Sequence, residues 1–94
     1  MTDQTIDTAL DMLKTRLNRA DSTLDEYLEA RLRAEVARFA KNGIVLTDST
    51  DDIMLLVDMT AWAYANRDNA GEMPRWLRLA RRERWLGEER NNDP

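Results

Sequence analysis

The sequence predicts an all-α, compact four-helix domain, with long second and third helices at its centre and a C-terminal helix opened by proline. Three observations point there. Apolar residues recur at helical spacing in separate segments. Gly43, Gly71 and Pro74 fall between those segments, with Gly87 near the end of the last one and Pro94 at the terminus. The β-prone run Ile44-Val45-Leu46-Thr47 is too short for a sheet of its own and reads as an extended connector packed on helices.

The first helix is predicted over residues 5–18. Ile6, Leu10, Leu13 and Leu17 form its apolar stripe, and the order Asp7, Asp11, then Lys14, Arg16, Arg19 complements the helix dipole. The second is predicted over 23–42. Ser22 with Asp25, or Thr23 with Glu26, spells a capping box. Leu24, Leu28, Leu32, Val36 and Phe39 make the stripe, and Gly43 followed by Ile44 predicts a left-handed ending with a hydrophobic contact. Glu29 and Arg33 are spaced to pair on the wet face, and Glu35, near the stripe, is expected to form a partly covered ion pair with Arg31 or Arg38. The third helix, 51–66, starts at a Ser49/Asp52 cap and is apolar nearly all round, which marks a central helix. Asp58 interrupts it and is expected at the rim or paired with an arginine. The turn 67–71 leads to Pro74 and a fourth helix running to about Glu89.

The 94 residues read as a single helical domain, 1–94, with 1–4 and 90–94 fraying. There is no Cys and no His. Disulfides, thiol nucleophiles, zinc fingers and imidazole chemistry are therefore excluded. No Gly-rich phosphate loop or catalytic carboxylate frame is present, so no catalytic residue, cofactor or metal site is expected, and the chain reads as a non-enzyme. Asp48, Asp51 and Asp52 lack the order of a calcium loop and are better explained by helix capping. No segment is apolar enough to span a membrane, and no secretory signal is expected at the N-terminus. The net charge of −4, from 14 basic and 18 acidic residues, opposes a whole-domain attraction to nucleic acid.

The fourth helix departs from plain packing. At helical spacing, Met73, Trp76, Leu77, Ala80 and Gly87 share the face expected to meet the core. Arg75, Arg78, Arg81 and Arg82 fall on the other side with Trp85, and Leu79 and Leu86 lie on the border. Arg75, Arg78, Leu79, Arg82, Trp85 and Leu86 are therefore the candidate partner-binding residues, because Trp and Arg dominate protein interfaces. Two other readings stay open: a solvated face with Trp85 stacked under its arginines, and nucleic-acid contact through arginine and a stacking Trp. Acid gathers at the start of the third helix and arginine on the fourth. In a head-to-tail ring, one subunit's basic face is expected to meet its neighbour's acidic face.

Specific stretches carry a resemblance. They are Leu10-x-x-Leu13-Lys14, Leu24-Asp25-x-x-Leu28 and Asp52-x-x-Leu55-Leu56-Val57. Ala61-Trp62-x-Tyr64-x-Asn66-Arg67-Asp68 follows, and then Met73-Pro74-x-Trp76-Leu77. Over about residues 6–86 the chain resembles the small helical head–tail connector proteins of long-tailed bacteriophages, also called DNA-packaging or head-completion adaptors. The resemblance implies a structural protein of a phage or prophage virion neck, present in the host cytoplasm during assembly. It implies a ring of roughly twelve subunits, monomeric when free or not, that docks below the portal protein and extends the DNA channel. A downstream neck or tail-completion protein would be the further partner, with DNA as passing cargo and no membrane. The family's last helix tends to engage the portal, which here puts Trp76, Leu79, Arg82, Trp85 and Leu86 near that contact. This chain lacks the long loop that relatives carry between helices two and three, so no gating role is expected for residues 42–50. The alternative from another class is a small helical DNA-binding regulator using the Arg-rich last helix. A core-facing Trp76 and Leu77 in its first turn, where base readout should begin, would oppose that alternative.

Overall fold

The computed structural model describes residues 1–69 and 71–91. Its elements are α1 (Asp3–Arg16), α2 (Asp25–Lys41), α3 (Thr50–Ala65) and α4 (Arg75–Asn91), with no strand among the described residues. The hub is α3, which packs against all three other helices. α1 also meets α2, whereas α4 approaches only α3 among the helices. The domain is a slab of 47 × 31 × 19 Å. Packed helices stand about 8–10 Å apart, so the thin dimension holds two helix layers.

The predicted stripes form the core. Ile6 and Leu13 of α1, Leu28, Leu32 and Phe39 of α2, and Leu55, Leu56 and Met59 of α3 are buried in one cluster. The connector behaves as its pattern requires: Ile44 and Leu46 turn inward and Val45 stays exposed. From α4, Leu77 is the buried hydrophobic residue among those described.

Local hydrogen bonds explain where the helices stop. Gly43 adopts φ 88°, its N–H donates to the Ala40 carbonyl at 3.1 Å, and the Ile44 N–H donates to the Phe39 carbonyl at 2.9 Å. This is the left-handed ending expected there. α1 uses the same device two residues earlier than predicted. Asn18 takes φ 56°, and the Arg19 N–H donates to the Lys14 carbonyl at 2.8 Å. Asparagine tolerates the left-handed region well enough to stand in for glycine.

Two start signals differ from expectation. α2 begins after Leu24 with no side-chain cap, so neither Ser22 nor Thr23 performs that role. Leu24 packs against the core and Asp25 pairs with Lys14 at 3.0 Å, which draws the chain past both hydroxyls before the helix starts. At the other end of expectation, α1 begins at Asp3, inside the stretch expected to fray. The Thr2 hydroxyl accepts from the Thr5 N–H, and the Thr2 N–H donates to Asp48 at 3.0 Å. α4 runs on to Asn91, into the stretch 90–94 expected to fray, and the rest of that stretch, 92–94, lies outside the described residues.

Gly43, just past the end of α2, and Gly87, inside α4, should respond oppositely to alanine. At Gly43 the positive φ is unfavourable to any side chain, and a Cβ would stand 3.4 Å from Trp85 Nε1. Gly43→Ala is expected to cost about 1–2 kcal/mol in urea unfolding. Gly87 lies inside α4 with open space around a Cβ. Gly87→Ala should stabilise by up to about 1 kcal/mol.

Candidate functional site

What sets the orientation of α4 is an ion pair at its inner face. Arg84 Nε donates to Asp52 Oδ1 at 2.7 Å, and its Nη2 donates to Asp52 Oδ2 at 3.2 Å and to the Val45 carbonyl at 2.9 Å. Asp52 Oδ2 also accepts from the Thr47 N–H at 2.7 Å and the Thr47 hydroxyl at 2.8 Å. Glu88 closes the circuit, taking Arg84 Nη1 at 3.3 Å and the Val45 N–H at 3.1 Å. One buried carboxylate thus ties the connector, the start of α3 and α4 together.

The Ser49 cap is present, with its hydroxyl accepting from the Asp52 N–H at 3.2 Å. Asp52 does not complete a capping box, because its carboxylate is taken by Thr47 and Arg84. The acids at the start of α3 also part company: Asp52 is buried, Asp48 holds the Thr2 N–H, and Asp51 is exposed. Among the described residues, no group of three or more His, Cys, Asp or Glu side chains is placed to hold a metal ion.

Arg84 rotates α4 away from the expected arrangement. Leu77 and Arg84 stand two turns apart on the inner face, with Ala80, Arg81 and Glu88 half-buried beside them. Trp76, expected in the core, is instead 51% exposed. Apolar periodicity alone gives the inner face to the large ring and leaves out the half-buried Arg84 guanidinium. The usable signal was Arg84 in register with Leu77 at i, i+7.

The opposite face carries Arg75, Leu79, Arg82 and Leu86 at i, i+4, i+7 and i+11, the same spacing as the core stripe of α1. Arg75, Arg78 and Arg82 are exposed, Leu79 is 45% exposed and Leu86 is half-buried. Arg75, Arg78, Leu79 and Arg82 line one shallow depression together with Arg81. None of these arginines has an ion-pair partner among the described residues. Trp85, 40% exposed, sits on the flank of this ridge and leans on Gly43. The cation–π contacts are elsewhere: Arg31 lies 5.5 Å from the Tyr27 ring and Arg67 lies 4.2 Å from the Tyr64 ring. Among the described residues, no arginine stacks on Trp85 in this way.

Several expected pairs are formed. Asp58 is held by Arg16, Glu29 lies 3.7 Å from Arg33, and Glu35 lies 3.4 Å from Arg38. A cavity of about 50 Å³ between α2, α3 and α4 has Glu35, Phe39, Met59 and Met73 in its lining. That is room for a water or two, short of an organic ligand. No helix among the described residues is long and apolar enough to cross a membrane. No protein-family model, curated protein or solved structure matches the chain.

The two buried carboxyls titrate in opposite directions. Burial pushes Asp52 up, but hydrogen bonds from Arg84 and Thr47 outweigh it and hold the group below its ordinary value. Burial holds Glu35 above its ordinary value, against the attraction of Arg38 and Arg31. Asp52 therefore adds stability above its unfolded pKa, and that stability is lost as pH falls through its folded value. Glu35 subtracts stability at neutral pH, and the penalty is relieved as pH falls through its raised value. Urea stability on acidification should first gain from Glu35, then lose from Asp52 below about pH 4. Glu35→Gln should remove the first contribution and keep the second. Arg84→Met, which strands a buried carboxylate, should cost about 3–5 kcal/mol at pH 7. Arg78→Met, on the exposed ridge, should stay within about 0.5 kcal/mol.

Proposed function

We propose that this protein is a non-enzymatic assembly protein that docks on other proteins through the outer face of α4. The carrying observation is the stripe Arg75, Leu79, Arg82 and Leu86, flanked by Arg78 and Trp85. Arginine and large apolar side chains are set at one helical spacing and held outward by the anchor of Arg84 on the buried Asp52. Such a surface suits a groove on a partner better than solvent, since guanidinium forks and aromatic rings supply most interface hot spots. Trp76, rotated out of the core, adds a further ring beside this stripe.

The resemblance gives the assembly its identity: a head–tail connector or adaptor of a phage or prophage virion neck. In that reading the last helix engages the portal protein and the subunits form a ring of roughly twelve that continues the DNA channel. A neck or tail-completion protein then docks below. Acidic side chains around such a channel repel DNA phosphates and let the genome pass.

The exposure of Trp76 also favours a second reading. With Arg75 and Arg78 it gives α4 an accessible first turn, as a DNA-reading helix requires. The net charge of −4 and exposed Glu72 and Glu83 weigh against it. Negative-stain microscopy and a salt-titrated DNA-binding assay on the wild type and on Arg78→Glu/Arg82→Glu separate the two. A connector gives a discrete ring with an open centre that the double variant loses, and no measurable DNA affinity. DNA affinity that falls steeply with salt and disappears in the double variant would make α4 a nucleic-acid surface and overturn the connector reading.

A further inference from the structure

The two flanks of α4 differ in charge and in shape. On the flank towards α1, Met54 of α3 is 49% exposed. It stands between two grooves whose linings include Asp51, Asp58 and Glu83 in one, and Asp11 and Asp58 in the other. Arg16 pairs with Asp58, whereas Asp11, Asp51 and Glu83 have no ion-pair partner among the described residues. Met54 is thus an exposed apolar knob in a surround where carboxylates outnumber the guanidinium groups of Arg16 and Arg84, which are themselves paired with Asp58 and Asp52. On the flank towards α2, Ile44 and Trp85 line an open recess of about 310 Å³ with Asn42, Arg81 and Arg82. This is an open recess whose exposed apolar surface comes from Trp85, since Ile44 is buried, and which is edged by guanidinium groups.

We propose that the Met54 knob of one copy of this chain seats in the Trp85–Ile44 recess of a second copy. Asp51 and Glu83 of the first would face Arg81 and Arg82 of the second. The charges are complementary in sign, so they steer the correct pairing and penalise knob-to-knob or recess-to-recess contact. The chemistry of the centre also matches, because a thioether packs favourably on an aromatic ring. Knob and recess lie on opposite flanks of α4, with Glu83 and Trp85 nearly half a helical turn apart. The contact is therefore heterologous: each copy that fills one neighbour's recess leaves its own recess open, and association continues until a ring closes. Of the acids that the sequence gathers at the start of the third helix, Asp51 keeps this role, Asp52 is neutralised by Arg84, and Glu83 of α4 joins it. This inference deepens the docking role proposed for α4 and names its self-partner.

Sedimentation from about 1 μM to 1 mM at low salt tests it. The wild type is expected to self-associate, more weakly as salt rises. Met54→Asp blocks the knob and Arg82→Glu blocks the recess. Both sites are exposed, and each variant alone should associate at least about tenfold more weakly with unchanged circular dichroism. Mixed one to one, the intact knob of Arg82→Glu and the intact recess of Met54→Asp should make a complex that stops at two copies. A wild type that stays monomeric throughout, a Met54→Asp variant that associates normally, or a mixture that fails to pair would each overturn the proposal. A ring that persists in Met54→Asp would overturn this contact alone. DNA binding by α4 would overturn the docking role instead.

Discussion

The architecture depends on how Asp52 is neutralised. Its carboxylate is 3% exposed and sits at the first turn of the hub helix α3. A charge that deep is tolerated only when hydrogen bonds satisfy its oxygens, and Arg84 with Thr47 does so. The same guanidinium takes the Val45 carbonyl, and Glu88 takes the Val45 N–H, so a connector with no sheet to join still has backbone partners. Lysine would not serve, because the geometry uses the planar fork of arginine on two carboxylate oxygens and a carbonyl at once. Since α4 meets only one other helix, this node and Leu77 decide its rotation, and that rotation decides which residues face outward.

The parts of the fold that were legible in the sequence are those written locally. Stripe periodicity in α1 and α2, the Gly43–Ile44 ending and the Ser49 cap each involve residues within a turn or two of one another. What was not legible depends on distance along the chain. Ser22 and Thr23 look like caps, but Leu24 answers to the core and Asp25 to Lys14 of the preceding helix. Trp76 looks like a core residue, and loses that place because Arg84 answers to a carboxylate 32 residues away. The candidate ridge was largely legible, because exposed arginines need no partner to be placed. Its rotation was not, because a buried ion pair contradicts the rule that charge points outward.

Arginine is used in contrasting ways along the same chain. Arg16 and Arg84 close ion pairs between helices, with Asp58 and Asp52. Arg75, Arg78, Arg81 and Arg82 find no carboxylate among the described residues, though the chain holds more acids than bases. Several of the acids cluster instead around Met54, on the other flank of α4. An acidic protein with a concentrated basic ridge is polar in the electrical sense. Both surfaces persist in one small slab because they lie on different flanks of α4, and no ion pair joins them among the described residues.

That separation bears on how a partner is bound. Leu77 and Arg84 pin α4 at two points two turns apart, and the stripe on its far side is therefore presented in a fixed register. The backbone of such a ridge is already ordered, so docking has only its side chains to immobilise and more of the contact energy remains as affinity. Rotation of α4 about its axis would move Trp76, Leu79 and Trp85 together, and would pull Arg84 off Asp52. The buried carboxylate makes that rotation expensive, and so the internal ion pair protects the shape of the outer surface even though it contributes no contact to it.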